Sequence, residues 1–316
     1  MTSNIATLNF GGINNSPIEF IDTSNSSFDA VNSKLDESEM VINSKTEVLR
    51  NYLTAYNPDM LFLTEYKTES FSLDNIKARF GEGLKDDSLS KYNMICGDVI
   101  DGLCNAIIVK KSYGRWFSVI KYNGNNDNEF KEPPLVIGLK SVVLICYNAG
   151  EKGILENAKY FTETNLYKYI NSIDGSVIVG GNFNCCLADN SGEINSNMSL
   201  FPSLGDLTNI KYTSYKEMLP LQPLVDKTGK KDATVKDGFV FKNIKTVNDP
   251  SGVSMFSSVC DKFDIMYVPT IPTDEVLLPN KTHPFDHFLV ECVVENPAYK
   301  GLFWSIFDSI TYIFRW

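Results

Sequence analysis

Short apolar runs closed by glycine, proline or polar pairs set the rhythm of this chain, and they predict alternating strands and helices. Ile5–Phe10 reads as a first strand ended by Gly11-Gly12. Residues 13–44 are rich in Ser, Asn and Asp, with acidic residues at Asp36, Glu37 and Glu39. That length without apolar periodicity predicts an insertion, either a functional flap or a disordered segment. Thr46–Tyr56 has helical spacing, with Val48, Leu49, Tyr52 and Leu53 on one face and Pro58 beyond its end. Met60–Thr64 is a second buried strand that delivers Glu65 at its tip. Residues 68–93 are polar and predict a short helix. Leu103–Val109 and Val142–Tyr147 predict strands, and Ile154–Ile173 predicts one long helix. Residues 186–252 read as loop-rich, and Phe263–Val268 and Phe288–Val294 close the pattern as strands. There is no fixed-period repeat and no low-complexity linker, so one α/β domain with a mixed sheet is expected over residues 1–295.

The stretch Ser176-Val-Ile-Val-Gly-Gly-Asn-Phe-Asn-Cys185 carries the most pointed signal. Val177, Ile178 and Val179 read as a strand buried on both faces. Gly180 and Gly181 are expected to end it, with Asn182 and Asn184 at its C-terminal end. In open α/β sheets ligands bind at that end. The plain alternative is a strand followed by an Asn-rich turn.

Composition narrows the field. The chain has 316 residues, 43% of them hydrophobic, which is ample for a large core. Its net charge of -10 argues against avid, non-specific DNA binding, which needs a basic footprint. Local basic patches remain open, and Lys227, Lys230, Lys231, Lys236, Lys242 and Lys245 form such a group. Seven scattered cysteines suggest reduced thiols, and the N-terminus carries no signal-peptide pattern, so an intracellular, non-secreted protein is expected. Residues 296–316 form an aromatic tail. Phe303, Phe307, Ile310 and Phe314 recur there at helical spacing, which fits packing on the domain, a membrane interface or a protein partner.

Five short motifs, in order, resemble the endonuclease/exonuclease/phosphatase superfamily of metal-dependent phosphodiesterases. They are Thr7-Leu-Asn9, Pro58–Lys67 with Glu65, Gly180-Gly-Asn-Phe-Asn184, Lys262-Phe-Asp-Ile-Met266 and Phe285-Asp-His287. Tyr147-Asn-Ala-Gly150 resembles the exonuclease-III-like apurinic endonuclease branch, which lacks the second histidine of other members. The resemblance implies a four-layer sandwich of two mixed β-sheets flanked by helices. It implies a nuclease-type phosphodiesterase using Mg²⁺ or Mn²⁺, held by Glu65 with Asp286 adding an outer contact. His287 would pair with a phosphate oxygen and be oriented by Asp264, while Asn9 lies near the metal. Asn184 would donate to the phosphate or nucleophile. Asn148, Lys230 and Lys231 are the expected substrate contacts.

Three departures weigh against full activity. The family's water-activating aspartate is Asn182 here, and an amide oxygen accepts a hydrogen bond but takes up no proton at neutral pH. Phe285 replaces the serine before Asp-His, and Gly11 stands where an acidic residue is common. Three readings follow: a phosphodiesterase acting on nucleic acid, a catalytically degenerate ligand- or partner-binding protein, and a membrane-associated phosphoesterase acting on lipid or small phosphoesters.

Overall fold

The computed structural model describes residues 2–11, 37–67, 72–74, 88–113, 117–123, 129–139, 142–150, 164–183, 210–212, 237–244, 251–253 and 289–295. In chain order they form β1 (Thr2–Asn9), α1 (Glu37–Ala55), β2 (Met60–Tyr66), β3 (Tyr92–Cys96), β4 (Cys104–Lys110), β5 (Ser118–Ile120), β6 (Leu135–Gly138) and β7 (Val142–Asn148). After these come α2 (Asn165–Ser172), β8 (Ser176–Asn182), β9 (Ile210–Tyr212), β10 (Asp237–Lys242), β11 (Ser251–Val253) and β12 (Leu289–Glu295).

The strands make two mixed six-stranded sheets, ordered β11-β12-β1-β2-β4-β3 and β5-β6-β7-β8-β10-β9. β1 and β2 pair in parallel in the first sheet, and β7 and β8 in parallel in the second. Alternation of side chains along a strand sorts the core into two layers. Ile5, Phe62, Ile107 and Val290 of the first sheet share one buried cluster with Leu144, Cys146, Ile178, Phe239 and Phe241 of the second. The sheets therefore pack face to face. The other face of the first sheet presents Ala6, Leu8, Leu61, Leu63 and Ile108 to Val48, Leu49, Tyr52 and Leu53 of α1. That is the helical face predicted from spacing.

On the outer side of the second sheet, Val177 and Val179 are fully buried. Lys242, one position off the inward-facing Phe241, donates its ammonium to the carbonyls of Ile170, Asn171 and Ile173 at the C-terminal end of α2. A cation there offsets the partial negative charge of the helix end. The result is the expected four-layer order of helix, sheet, sheet and helix.

Several local expectations are corrected. α1 starts at Glu37, inside the segment read as a polar insertion, because Glu37–Lys45 contains no Gly or Pro to stop it. The predicted long helix over 154–173 does not run through Thr164. That residue is an N-cap with extended backbone, and its hydroxyl accepts from the Tyr167 N–H at 3.0 Å. The segment read as loop-rich over 186–252 contains β9 and β10, whose pairing the short runs Ile210–Tyr212 and Phe239–Phe241 did not announce. The short helix expected within residues 68–93 has a counterpart in the 3-10 helix Ser88–Lys91, and the correction is that β3 already begins at Tyr92. The predicted strand Phe263–Val268 and the tail 296–316 lie outside the described residues.

Gly180 and Gly181 do not end β8 but belong to it. A Cβ on Gly180 would lie 2.7 Å from Cγ of Phe62, on the facing sheet. A Cβ on Gly181 would overlap the carbonyl oxygen of Tyr147 on β7, and its φ of +152° is one that L-residues rarely adopt. These glycines let backbone and facing sheet approach closely, rather than turning the chain.

Candidate functional site

One end of the inter-sheet layer turns from apolar to polar on nearly every strand that reaches it. Along the inward face, β1 runs from Ile5 to Thr7 to Asn9 and β2 from Phe62 to Thr64. β7 runs from Cys146 to Asn148 and β8 from Ile178 through Gly180 to Asn182. The strands of opposite direction do the same in reverse: β10 runs from Phe239 back to Asp237, and β4 from Ile107 back to Asn105. All of these polar residues are buried. Period-two alternation makes the pattern legible once the strand pairing is known.

Glu65 is aimed into this polar end by a backbone irregularity. The β2–β4 register shifts between Leu63 and Tyr66, and Glu65 takes a φ of 52°. A bulge of this kind redirects a side chain and bends the strand. The left-handed conformation of a non-glycine residue carries strain that the surrounding structure must hold. It is held here from both sides. Phe10 N–H donates to the Thr64 carbonyl at 2.8 Å, and the buried thiol of Cys146 donates to the Leu63 carbonyl at 3.3 Å across the sheets. Burial pushes the Cys146 thiol far above its ordinary range, so it stays a donor.

The Glu65 Oε1 atom accepts from three side chains: Lys131 Nζ at 2.9 Å, and Asn9 Nδ2 and Asn148 Nδ2 at 3.4 Å each. Asn9 is fixed by its own Oδ1, which accepts from the Gly11 N–H at 2.8 Å. Asn148 Nδ2 also donates to Glu132 Oε2 at 2.6 Å. Burial raises the Glu132 carboxyl above its ordinary value, the Asn148 bond opposes that rise, and the charge of Glu65 adds to it. Asn148 Oδ1 is buried and accepts no hydrogen bond among the described residues. Asn182 stands beside Asn148 in parallel register, and its carbonyl accepts from the Ala149 N–H at 2.9 Å.

Of the residues expected in the site, Asn9, Glu65, Asn148 and Asn182 are gathered at this one end. Asn184, Asp264, Asp286, His287, Lys230 and Lys231 lie outside the described residues. The basic group 227–245 is corrected at one member: Lys242 pairs with Val177, at the far end of β8 from Asn182, and is committed to the α2 carbonyls.

Sequence reasoning missed Lys131, Glu132, Asn105 and Asp237. The first two sit on a segment pinned beside β7. Lys131 N–H donates to the Asn148 carbonyl at 3.0 Å, and Gly150 N–H donates to the Glu129 carbonyl at 3.1 Å. Asn105 Nδ2 donates to the carbonyls of Glu132 at 3.2 Å and Pro133 at 3.0 Å. Glu129 Oε1 in turn accepts from the Asn165 N–H at 2.7 Å, joining the segment to the start of α2. The available signals were a charged pair ahead of Pro133-Pro134 and an asparagine inside the apolar run of β4.

The oxygens presented are hard donors: the Glu65 carboxylate and the amide oxygen of Asn148. Among the described residues no group of three His, Cys, Asp or Glu side chains is assembled to hold a metal by protein ligands alone. The amides and the Lys131 ammonium supply donors suited to an anionic ligand.

No family model matches the sequence, and no curated protein matches it. Solved structures do match. An endonuclease/exonuclease/phosphatase family protein from Bacteroides thetaiotaomicron aligns at 12% identity and a TM-score of 0.51, over 93% of this chain and 95% of that one. TDP2 of D. rerio, in complex with a single-strand DNA product, aligns at 14% identity and a TM-score of 0.48, over 93% and 99%. A mannosyl-6-phosphatase from B. thetaiotaomicron aligns at 12% identity and a TM-score of 0.48, over 93% and 99%. The strand order, the face-to-face sheets and the alignment with the B. thetaiotaomicron family protein agree: this chain has the fold of the endonuclease/exonuclease/phosphatase superfamily.

Proposed function

We propose that the protein is a phosphodiesterase, with nucleic acid as its substrate class and a divalent cation as its cofactor. The observation that carries this reading is the convergence of Asn9, Glu65, Asn148 and Asn182 at the polar end of the inter-sheet layer. Phosphodiester hydrolysis needs neutralisation of charge on the phosphoryl oxygens, a positioned water and help for the leaving group. Mg²⁺ favours one or two carboxylates, its remaining positions filled by waters and phosphate oxygens. Glu65 with the open acceptor of Asn148 fits that demand, and a bound cation would polarise the phosphate. Asn9 and Asn148 hold the Glu65 carboxylate in place through its Oε1 atom. Lys131 contributes a positive charge that a phosphate would meet on approach. Asn182 is placed to orient a water or a phosphate oxygen through its amide. His287 is assigned the partner of the phosphate and Asp264 its orienting group, with Asn184 as a donor, on the motif resemblance alone. Lys230 and Lys231 are assigned to the nucleic-acid strand on their place in the basic group 227–245.

The test is hydrolysis of a panel comprising abasic duplex, single-stranded DNA and RNA, bis-p-nitrophenyl phosphate and phospholipid, with and without Mg²⁺. Activity that needs Mg²⁺ and disappears in Glu65→Ala supports the reading. Inertness of the folded protein across the panel sinks it. A second reading, a binding protein without turnover, is favoured by two observations: an amide at position 182, and an ammonium already 2.9 Å from Glu65 Oε1. On that reading the folded protein binds single-stranded DNA or a phosphate ligand but shows no Mg²⁺-dependent turnover.

A further inference from the structure

Cys96 closes β3 and Cys104 opens β4, two strands paired antiparallel at one edge of the first sheet. The register sets Cys96 opposite Ala106, and Cys104 lies two positions before Ala106 on β4. Residues two apart on a strand share a face. Both thiols therefore lie on the face of the first sheet that packs on α1, together with Ala106 and Ile108. Diagonal neighbours on one face are within reach of each other's side chains, and here the two thiols are hydrogen-bonded. Their surroundings differ. Cys96 is exposed and Cys104 is fully buried. The hydrogen bond from Cys104 holds the Cys96 thiol below its ordinary value, against the opposing effect of burial. The same bond, with burial, pushes the Cys104 thiol far up. An exposed thiol of lowered pKa beside a second thiol is the arrangement found at oxidation-sensitive cysteines. The other described cysteines, Cys146 and Cys292, are buried and donate to backbone carbonyls. Residues 97–103, which join the pair, form a largely exposed hairpin with Asp101 and Gly102 at positive φ. A segment with so few buried contacts yields readily when the sulfurs close to the roughly 2 Å of a disulfide.

We propose that Cys96 and Cys104 form a reversible oxidation site, a dithiol that a hydroperoxide converts to a disulfide. The Cys96 thiolate attacks one peroxide oxygen. An S–O bond forms, the O–O bond breaks with its electron pair, and the departing oxyanion takes a proton from solvent. Cys96 is thereby oxidised to a sulfenic acid and the peroxide is reduced. Loss of the thiolate also removes the acceptor that held the Cys104 proton. The Cys104 sulfur then attacks Cys96 Sγ. The S–S bond forms as the S–O bond breaks, and hydroxide leaves with the Cys104 proton as water. A dithiol reductant returns both thiols by exchange. Cys104 pairs in register with Tyr66, the residue after Glu65, so the bridge forms beside the bulge that aims the Glu65 carboxylate. The oxidation requires nothing of the phosphodiesterase reading.

The test is oxidation of the full folded chain with stoichiometric hydrogen peroxide, followed by alkylation of the remaining thiols and mass mapping of fragments. Wild type is expected to lose two of its seven thiols and the mass of two hydrogen atoms, and to recover both with dithiothreitol. Asp98 and Asp101 lie between the two cysteines, so cleavage before aspartate separates Cys96 from Cys104 unless a disulfide joins the fragments. A joined Cys96–Cys104 fragment supports the proposal. A folded wild type whose map lacks that link, whatever else is oxidised, overturns it. Cys104→Ala should stop at the Cys96 sulfenic acid, captured as its dimedone adduct, and Cys96→Ser should leave Cys104 reduced. Oxidation of Cys104 in Cys96→Ser at the wild-type rate overturns Cys96 as the attacking thiol. If Cys104→Ala does not fold, wild type unfolded in guanidinium takes its place. Slower formation of the link there supports a site made by the fold, and an equal rate overturns it.

Discussion

Replacing Gly181 with alanine should be among the most damaging single-methyl changes in this protein. The added Cβ would overlap the carbonyl oxygen of Tyr147 and stand 2.9 Å from its carbonyl carbon. Both are backbone atoms of the adjacent strand, so no rotamer change can make room. Relief requires β7 and β8 to separate next to Asn148, which donates to Glu65, and Asn182 beside it. Overpacking of a tight interior typically costs ~1–3 kcal/mol, and holding a non-glycine residue in a sparsely populated backbone region adds ~1–3 kcal/mol. The expected loss is therefore ~2–6 kcal/mol, a large share of the ~5–15 kcal/mol stability of an ordinary protein.

Two companions separate these contributions. Gly102→Ala, at φ +81° with nothing within 4 Å of the new Cβ, carries the conformational cost without a clash. Gly180→Ala carries a clash with the Phe62 ring at 2.7 Å but no positive φ. Urea melts should rank the losses Gly181 above both. Any activity found in the wild type should fall further in Gly181→Ala than in Gly102→Ala under conditions where both are folded. A Gly181→Ala protein no less stable than Gly102→Ala would refute the close approach of β7 and β8 at this point.

Other tests address more distant parts of the structure. Burial raises the Glu291 carboxyl above its ordinary value of 4.5, although its bond from the Tyr52 hydroxyl at 2.6 Å opposes the rise. A raised folded-state value means that the native state holds this proton more tightly than the unfolded chain does. Its contribution is full below about pH 4.5 and is lost as pH rises through the folded value. Glu291→Gln, which keeps an acceptor for Tyr52, should therefore gain stability relative to wild type between pH 4.5 and pH 7; a constant difference in urea midpoints across that range would contradict this. Lys242→Met removes an ammonium shared by three carbonyls at the end of α2 and should cost ~1–2 kcal/mol by thermal or urea melts, with Mg²⁺ affinity unchanged because the residue lies at the far end of β8.

Much of the architecture follows from local pattern. The α1 face of Val48, Leu49, Tyr52 and Leu53 is buried where helical spacing put it, and Met60–Thr64 and Val177–Val179 lie in core strands. Such runs need only their own periodicity to declare which side is buried. Short strands fail that test. Ser118–Ile120 and Ile210–Tyr212 have three residues each, too few for a period to show, and exist through pairing with β6 and β10. Helix limits fail it too: Thr164 ends one reading and starts another because its side chain caps α2, a choice no apolar count reveals.

The candidate site divides along the same line. Glu65 and Asn182 are legible in the sequence because each follows an apolar run and so lies where a strand leaves the core, whereas Asn9 and Asn148 are named by the motif resemblance. Their neighbours were decided only by three-dimensional pairing. Backbone bonds dock the segment of Lys131 and Glu132 on β7, so Glu132 meets Asn148 across 16 residues of sequence and Lys131 meets Glu65 across 66. Asp237 comes beside Asn182 because β10 returns antiparallel to β8, across 55 residues of chain. Gly180 and Gly181 read as a turn in one dimension and act as clearance for Phe62 and Tyr147 in three. Burial preference is a property of each residue and its near neighbours, so the sequence determines it alone. Which polar groups share a cleft depends on strand order and register, which the packing of the two sheets selects.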